Sequence, residues 1–179
     1  LVGVGGRDEP AALAGVSHFL EHLLCKGTEE RSSDRVAEEV DAIGGDLDAV
    51  TDRERTAVQV RVPAGERGFA IDLLGDLLLR PALRPGDVEV ERSVILEELA
   101  HALDDPEDRA HTLTAAALYG DHPLGREIIG DRATLRDLDA ATIAGFHRSE
   151  YRPDDMVVAV AGALDHDEVV ERARPQAAG

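Results

Sequence analysis

The chain has 179 residues, enough to bury a sizeable core in one domain, and its 43% hydrophobic and 31% charged residues describe a globular protein rather than a disordered one. Its 37 acidic against 19 basic side chains give a net charge of −18, a surface that repels phosphate backbones and excludes nucleic acid as the expected partner. No apolar run reaches the roughly 18 residues of a membrane-spanning helix, so no membrane insertion is expected, and the lone Cys25 allows no internal disulfide, which suits a reducing, cytoplasmic setting.

The chain opens in "LVGVGG", which reads as the end of a strand, followed by a loop, "GRDEP". Residues 13–25 predict a helix that stops near Gly27. In "SSDRVAEEVDAIGG", Val36, Val40 and Ile43 recur at helical spacing, with Ser33 as the expected N-cap and Gly44–Gly45 as the stop. The period then changes. "GDLDAVT" reads as a short strand, "DRER" as a turn, and Val58, Val60 and Val62 in "ERTAVQVRV" alternate as a half-buried strand does. Helices are expected over 66–80, over 86–103, and from Pro106 to a stop at Gly120. "DHPLGREIIG" is loop-like, 139–150 returns to helix, "DDMVVAVAG" predicts another clear strand, and "DHDEVVERA" begins a last helix. Strands in small groups among helices imply an α+β domain: a mixed, largely antiparallel sheet with helices packed on one face. The opening inside a strand and the close in "ARPQAAG" read as one domain over 1–179, incomplete at both ends.

The chemistry concentrates in "GVSHFLEHLLCKGT", where His18, Glu21 and His22 interrupt an apolar run. At 3.6 residues per turn His18 and His22 share one face and can converge on a single Zn²⁺. Glu21 falls beside that line, where a carboxylate can act as general base without coordinating. Two histidines one turn apart are also compatible with ordinary core or boundary positions. Cys25 lies about 10 Å along the axis from His18 at ~1.5 Å per residue, so it reads as packing rather than as a third ligand. A carboxylate from "EVERSVILEELAHA" is the better source: Glu91 and Glu98 stand two turns apart among aliphatic residues. Glu89, Glu97 and Glu107 read as a solvated face. His101 reads as either close support for the site or helix surface, and His111, His147 and His166 as surface or boundary. His122 reads as either cleft wall or loop packing.

The order H-F-L-E-H, G-T, I-G-G, a strand pair, then E-R-S-V-I-L-E-E resembles the pitrilysin/insulinase family of inverted-motif zinc peptidases, which includes mitochondrial processing peptidase. The likeness runs from "GGRDEP" through "DHPLGREIIG" and "YRPDDMVV" to "MVVAVAGALDHDE". It implies a zinc metalloendopeptidase in which His18, His22 and Glu98 hold Zn²⁺, Glu21 activates the water, and Glu91 supports the ligands. It also implies that "GDLDAVT", with Asp48, Ala49 and Val50, is the edge strand on which an extended peptide substrate lies. A second, homologous domain or subunit is expected as partner, and it is absent from this chain. Two departures stand out: Asp48 where the family usually carries Asn, and Cys25 where an aromatic is usual. Three rival readings remain: an inactive member or half that binds peptide or a partner domain, a lyase of the same motif order that needs a distant Cys ligand, and an acidic structural domain.

Overall fold

The computed structural model describes residues 1–177; Ala178 and Gly179, the end of "ARPQAAG", lie outside it. The first helix, α1, spans Val16–Leu24, shorter than the expected 13–25, because Ala11–Leu13 form a separate 3₁₀ turn. Between them Gly15 adopts φ 94°, a left-handed conformation that side chains resist. A Cβ there would meet Ile129 O at 2.4 Å, and one on Gly130 would meet Ala14 O at 2.4 Å. The two backbones therefore cross at a distance only glycine permits, which fixes the start of α1 against the "IIG" of the later loop. The buried Glu9 carboxylate then caps the helix, accepting from Gly15 N at 2.8 Å and Ser17 N at 2.7 Å. Negative charge at a helix N-terminus satisfies orphan amides and complements the dipole.

Helix α1 buries Val16, Phe19, Leu20, Leu23 and Leu24, each worth roughly 1.5–3 kcal/mol on transfer from water. Helix α2 (Ser33–Ala42) follows, capped by Ser32 rather than Ser33: the Ser32 hydroxyl accepts from Arg35 N at 3.2 Å. Val36 and Val40 enter the core, and Gly44 at φ 69° ends the helix. Strands β1 (Asp46–Thr51) and β2 (Thr56–Arg61) form an antiparallel hairpin with Asp46 opposite Arg61 and Thr51 opposite Thr56. Its turn is held by Asp52 Oδ1, which accepts from Glu54 N and Arg55 N at 2.7 and 2.9 Å. Leu47, Ala49, Val58 and Val60 join the core while Asp46, Asp48 and Val50 stay exposed, the alternation expected of a half-buried hairpin.

Helix α3 (Arg67–Leu79) ends before Pro81, and α4 (Pro85–Asp104) starts with Pro85 in its first turn. Asp105, whose side chain accepts from Glu107 N and Asp108 N, separates α4 from α5 (Pro106–Tyr119). The sequence reading missed α6 (Arg132–Asp137), a six-residue helix inside a polar stretch that shows no long apolar period. Helices α7 (Ala140–Glu150) and α8 (His166–Ala177) complete the order. The strand expected in "DDMVVAVAG" does not form. Pro153–Asp155 make a 3₁₀ turn, Met156 bridges Val2, Val157 exchanges hydrogen bonds with Leu1, and Val158–Val160 find no backbone partner among the described residues. Valine alternation confers strand propensity, but a strand needs a ladder to pair with. Val2 also bridges Thr56, so the sheet is the hairpin plus these isolated antiparallel bridges, an α+β domain rich in helix.

Candidate metal centre

Two faces of α1 do different work. One carries the buried aliphatics and Phe19; the other presents His18, Glu21, His22 and Cys25, all partly buried. The second face meets α4 and β1. Helix α4 is anchored by Val88, Ile95 and Leu99 in the core and by Arg92. The Arg92 guanidinium lies 5.6 Å from the Phe19 ring centroid and donates to the carbonyls of Leu135 and Leu138, tying α4 to α1 and to the end of α6. The E-R-S-V-I-L-E-E segment thus holds its glutamates at a set height beside the histidines.

Across this contact His22 Nε2 stands 3.4 Å from Glu98 Oε2, and His18 Nε2 stands 3.7 Å from the same oxygen. The rings of His18 and His22 are 4.8 Å apart at 64°, and one ligand atom from each of the three residues lies within 4.8 Å of the others. A tetrahedral zinc site with bonds of about 2.0–2.2 Å separates its ligand atoms by roughly 3.3 Å, so this donor set needs only a small contraction to hold the ion. Its chemistry also fits. Burial, then the neighbouring His22, lowers the His18 pKa to about 4, so His18 offers a neutral nitrogen at ordinary pH. Glu98 is 46% exposed, which leaves one side of the cluster open to solvent. Among the described residues this is the only such cluster. His18 Nδ1 is buried without a hydrogen-bond partner, and nothing in the structure accounts for it.

Of the four glutamates on α4, only Glu91 is buried, at 2% exposure. Its Oε2 sits 3.0 Å from His22 Nδ1, while Lys26 Nζ is 2.8 Å from Oε1, an ion pair off the angle of a hydrogen bond. A carboxylate on the far nitrogen of a ligand histidine orients the ring and selects its tautomer. Glu21 is not one of the three converging groups. Burial pushes its carboxyl pKa up, opposed by a Thr51 hydroxyl and by His22. Cys25 is partly buried and its thiol is pushed up to about 11, chiefly by burial, which fits packing. Strand β1, with Asp48, Ala49 and Val50, pairs with β2 on one side and with no strand on the other among the described residues.

The remaining histidines divide. His101, His111, His122 and His166 are exposed, and His122 Nδ1 accepts from Leu124 N at 3.2 Å within its own loop. His147 is not a surface residue: it is 8% exposed, with Nε2 2.8 Å from Leu78 O. Sequence reading also missed Lys26, although it lies one turn beyond His22, and Asp76. Asp76 is buried and accepts from Thr28 Oγ1 at 2.8 Å, from Arg80 Nε at 3.1 Å and from Arg31, pinning the "KGT" loop after α1.

Fold and site together define a metallopeptidase-type α+β domain of the inverted H-x-x-E-H order. The sequence pattern of the family described as Insulinase (Peptidase family M16) matches residues 1–132, and the chain belongs to that family. An uncharacterised zinc protease of Mycobacterium tuberculosis is 46% identical over 173 residues, covering 97% of this chain and 40% of that protein. Pitrilysin superposes with a TM-score of 0.86 at 26% identity, covering 99% of this chain and 19% of its own. The peptidase M16 inactive domain from Pseudomonas fluorescens superposes at 0.90 with 19% identity, over 99% of this chain and 43% of that one, a likeness of fold alone. The chain thus spans about 40% of the length of the curated relatives it matches.

Proposed function

We propose that this chain is the metal-bearing part of a zinc metalloendopeptidase that cuts extended peptides. The observation that carries the reading is the convergence of His18, His22 and Glu98 from α1 and α4. These three would hold Zn²⁺, and the chemistry the ion supplies when bound is Lewis acidity toward a water molecule and the scissile carbonyl. Glu21, one residue before His22 and outside the ligand set, accepts the water's proton on its carboxylate and returns it to the leaving amine. Its raised pKa brings it closer to the working pH, which favours both transfers. Glu91 orients His22 through Nδ1. The open edge of β1 accepts the substrate backbone as an added strand, with Asp48, Ala49 and Val50 along the groove. A second homologous domain or subunit completes the substrate chamber, a reading supported by the fraction of its relatives that this chain covers. A cytoplasmic setting is part of the proposal, supported by the lone, partly buried Cys25.

A second reading, a half that binds peptide without cutting it, draws on the likeness to the inactive Pseudomonas fluorescens domain. It is disfavoured here because all three ligand positions and Glu21 are intact. The deciding experiment uses the intact protein with its partner part. Glu21→Gln retains zinc by elemental analysis and loses roughly 10²–10⁴-fold in peptide turnover. Glu98→Gln lowers zinc affinity in a dialysis titration. Wild-type turnover by Glu21→Gln removes the base assignment, and unchanged zinc affinity in Glu98→Gln removes the ligand assignment.

A further inference from the structure

We propose that Lys26 is a positioning residue for the metal centre: its ammonium locks the buried Glu91 carboxylate so that Oε2 faces His22 Nδ1, leaving His22 Nε2 unprotonated and turned toward Glu98. The chain of contacts is short and continuous: Lys26 Nζ to Glu91 Oε1 at 2.8 Å, Glu91 Oε2 to His22 Nδ1 at 3.0 Å, and His22 Nε2 to Glu98 Oε2 at 3.4 Å. Lys26 reaches Glu91 because it follows His22 by one turn, just past the end of α1, where Lys26 N still donates to Leu23 O.

A lysine–carboxylate pair on a surface contributes little. This pair differs because the carboxylate is only 3% exposed while the lysine is 38% exposed. Apart from His22, Lys26 is the one cation paired with Glu91 among the described residues, and Glu91 Oε1 makes no hydrogen bond. The terminal torsion of a glutamate is soft, so without Lys26 nothing holds that oxygen and the carboxylate turns away from Nδ1. A buried carboxylate stripped of its cation is also strongly disfavoured. Both effects release His22 to the other tautomer, which puts a proton on the nitrogen a metal needs.

The consequence for zinc rests on the function proposed above, but the tautomer does not. In the intact, zinc-free protein labelled with nitrogen-15 at histidine, ring-nitrogen shifts at mildly alkaline pH report wild-type His22 as the Nδ1–H form. Lys26→Met moves those shifts toward a mixture of tautomers, and Lys26→Arg keeps them. By chelator competition Lys26→Met loses about tenfold in zinc affinity, and Lys26→Arg recovers most of it. If Lys26→Met does not fold, Lys26→Gln is read the same way. Unchanged His22 shifts in the neutral variant overturn the proposal, even if its melting temperature falls, because that pattern is a merely structural effect. Failure of the wild type to bind zinc sinks the zinc reading while the shifts still judge Lys26.

Discussion

Helices α1 and α5 carry similar shares of apolar residues, yet they sit in opposite surroundings. Helix α1 buries six of its nine residues and has a partner on every side: the core beneath, α4 and β1 against its histidine face, and the Ile129–Gly130 backbone at its start. Helix α5 buries none of its fourteen, and Leu113 and Leu118 stand 54% and 71% exposed. The contrast teaches where the domain keeps its rigidity. A histidine pair keeps a fixed geometry on a helix whose position is over-determined, and α1 is clamped by Glu9, Arg92 and Asp76 through unrelated parts of the chain. Among the described residues α5 has one such tie, the Thr112 hydroxyl donating to Glu127.

The largest effect that would break this comparison is in the core. Phe19→Ala should cost about 3–5 kcal/mol of unfolding free energy, read by denaturant titration of the zinc-free protein. A loss under ~1 kcal/mol would mean that α1 is not the rigid element. Next comes acid. His18 is neutral in the fold with its pKa near 4, while the unfolded chain takes a proton near 6.5. The unfolded state therefore binds more protons between those values, and the His18 contribution, present above about pH 6.5, is lost as pH falls toward 4, by roughly 3 kcal/mol at most. Burial also lowers His147, which adds in the same direction, whereas the raised carboxyls of Glu9 and Glu21 act in the opposite one. The difference in stability between wild type and His18→Gln isolates the His18 part, and a difference that does not change with pH would contradict its burial. The smallest effect is on α5: Leu118→Ala should change stability by no more than about 0.5 kcal/mol. A larger loss would show that its apolar face is covered in solution.

Much of the fold was legible because its signals are local. The 3.6-residue period marked α2, α3, α4 and α7 within a residue or two, and valine alternation with a charged turn marked the β1–β2 hairpin. The errors are places where distant contacts decide. Glu9, six residues before Gly15, trims the start of α1; Val157–Val160 need a pairing strand that no periodicity can supply; and His147 is buried only because α7 packs Nε2 against Leu78 O. At the site, the helical repeat put His18 and His22 on one face, and nothing in α4's own pattern told Glu91 and Glu98 apart.

The amino-acid order by itself determined the inverted motif, the shared face of its two histidines and the helix carrying Glu91 and Glu98, because each depends on neighbours within a turn or two. Only the tertiary structure decided that Glu98 Oε2 stands 3.4 Å and 3.7 Å from the two imidazoles, and that Glu91 is the buried partner of His22 and Lys26. Those relations join residues about seventy positions apart. They exist because the packing of α4 on α1, with Arg92 against Phe19 and Ile95 and Leu99 in the core, sets the height of one helix on the other.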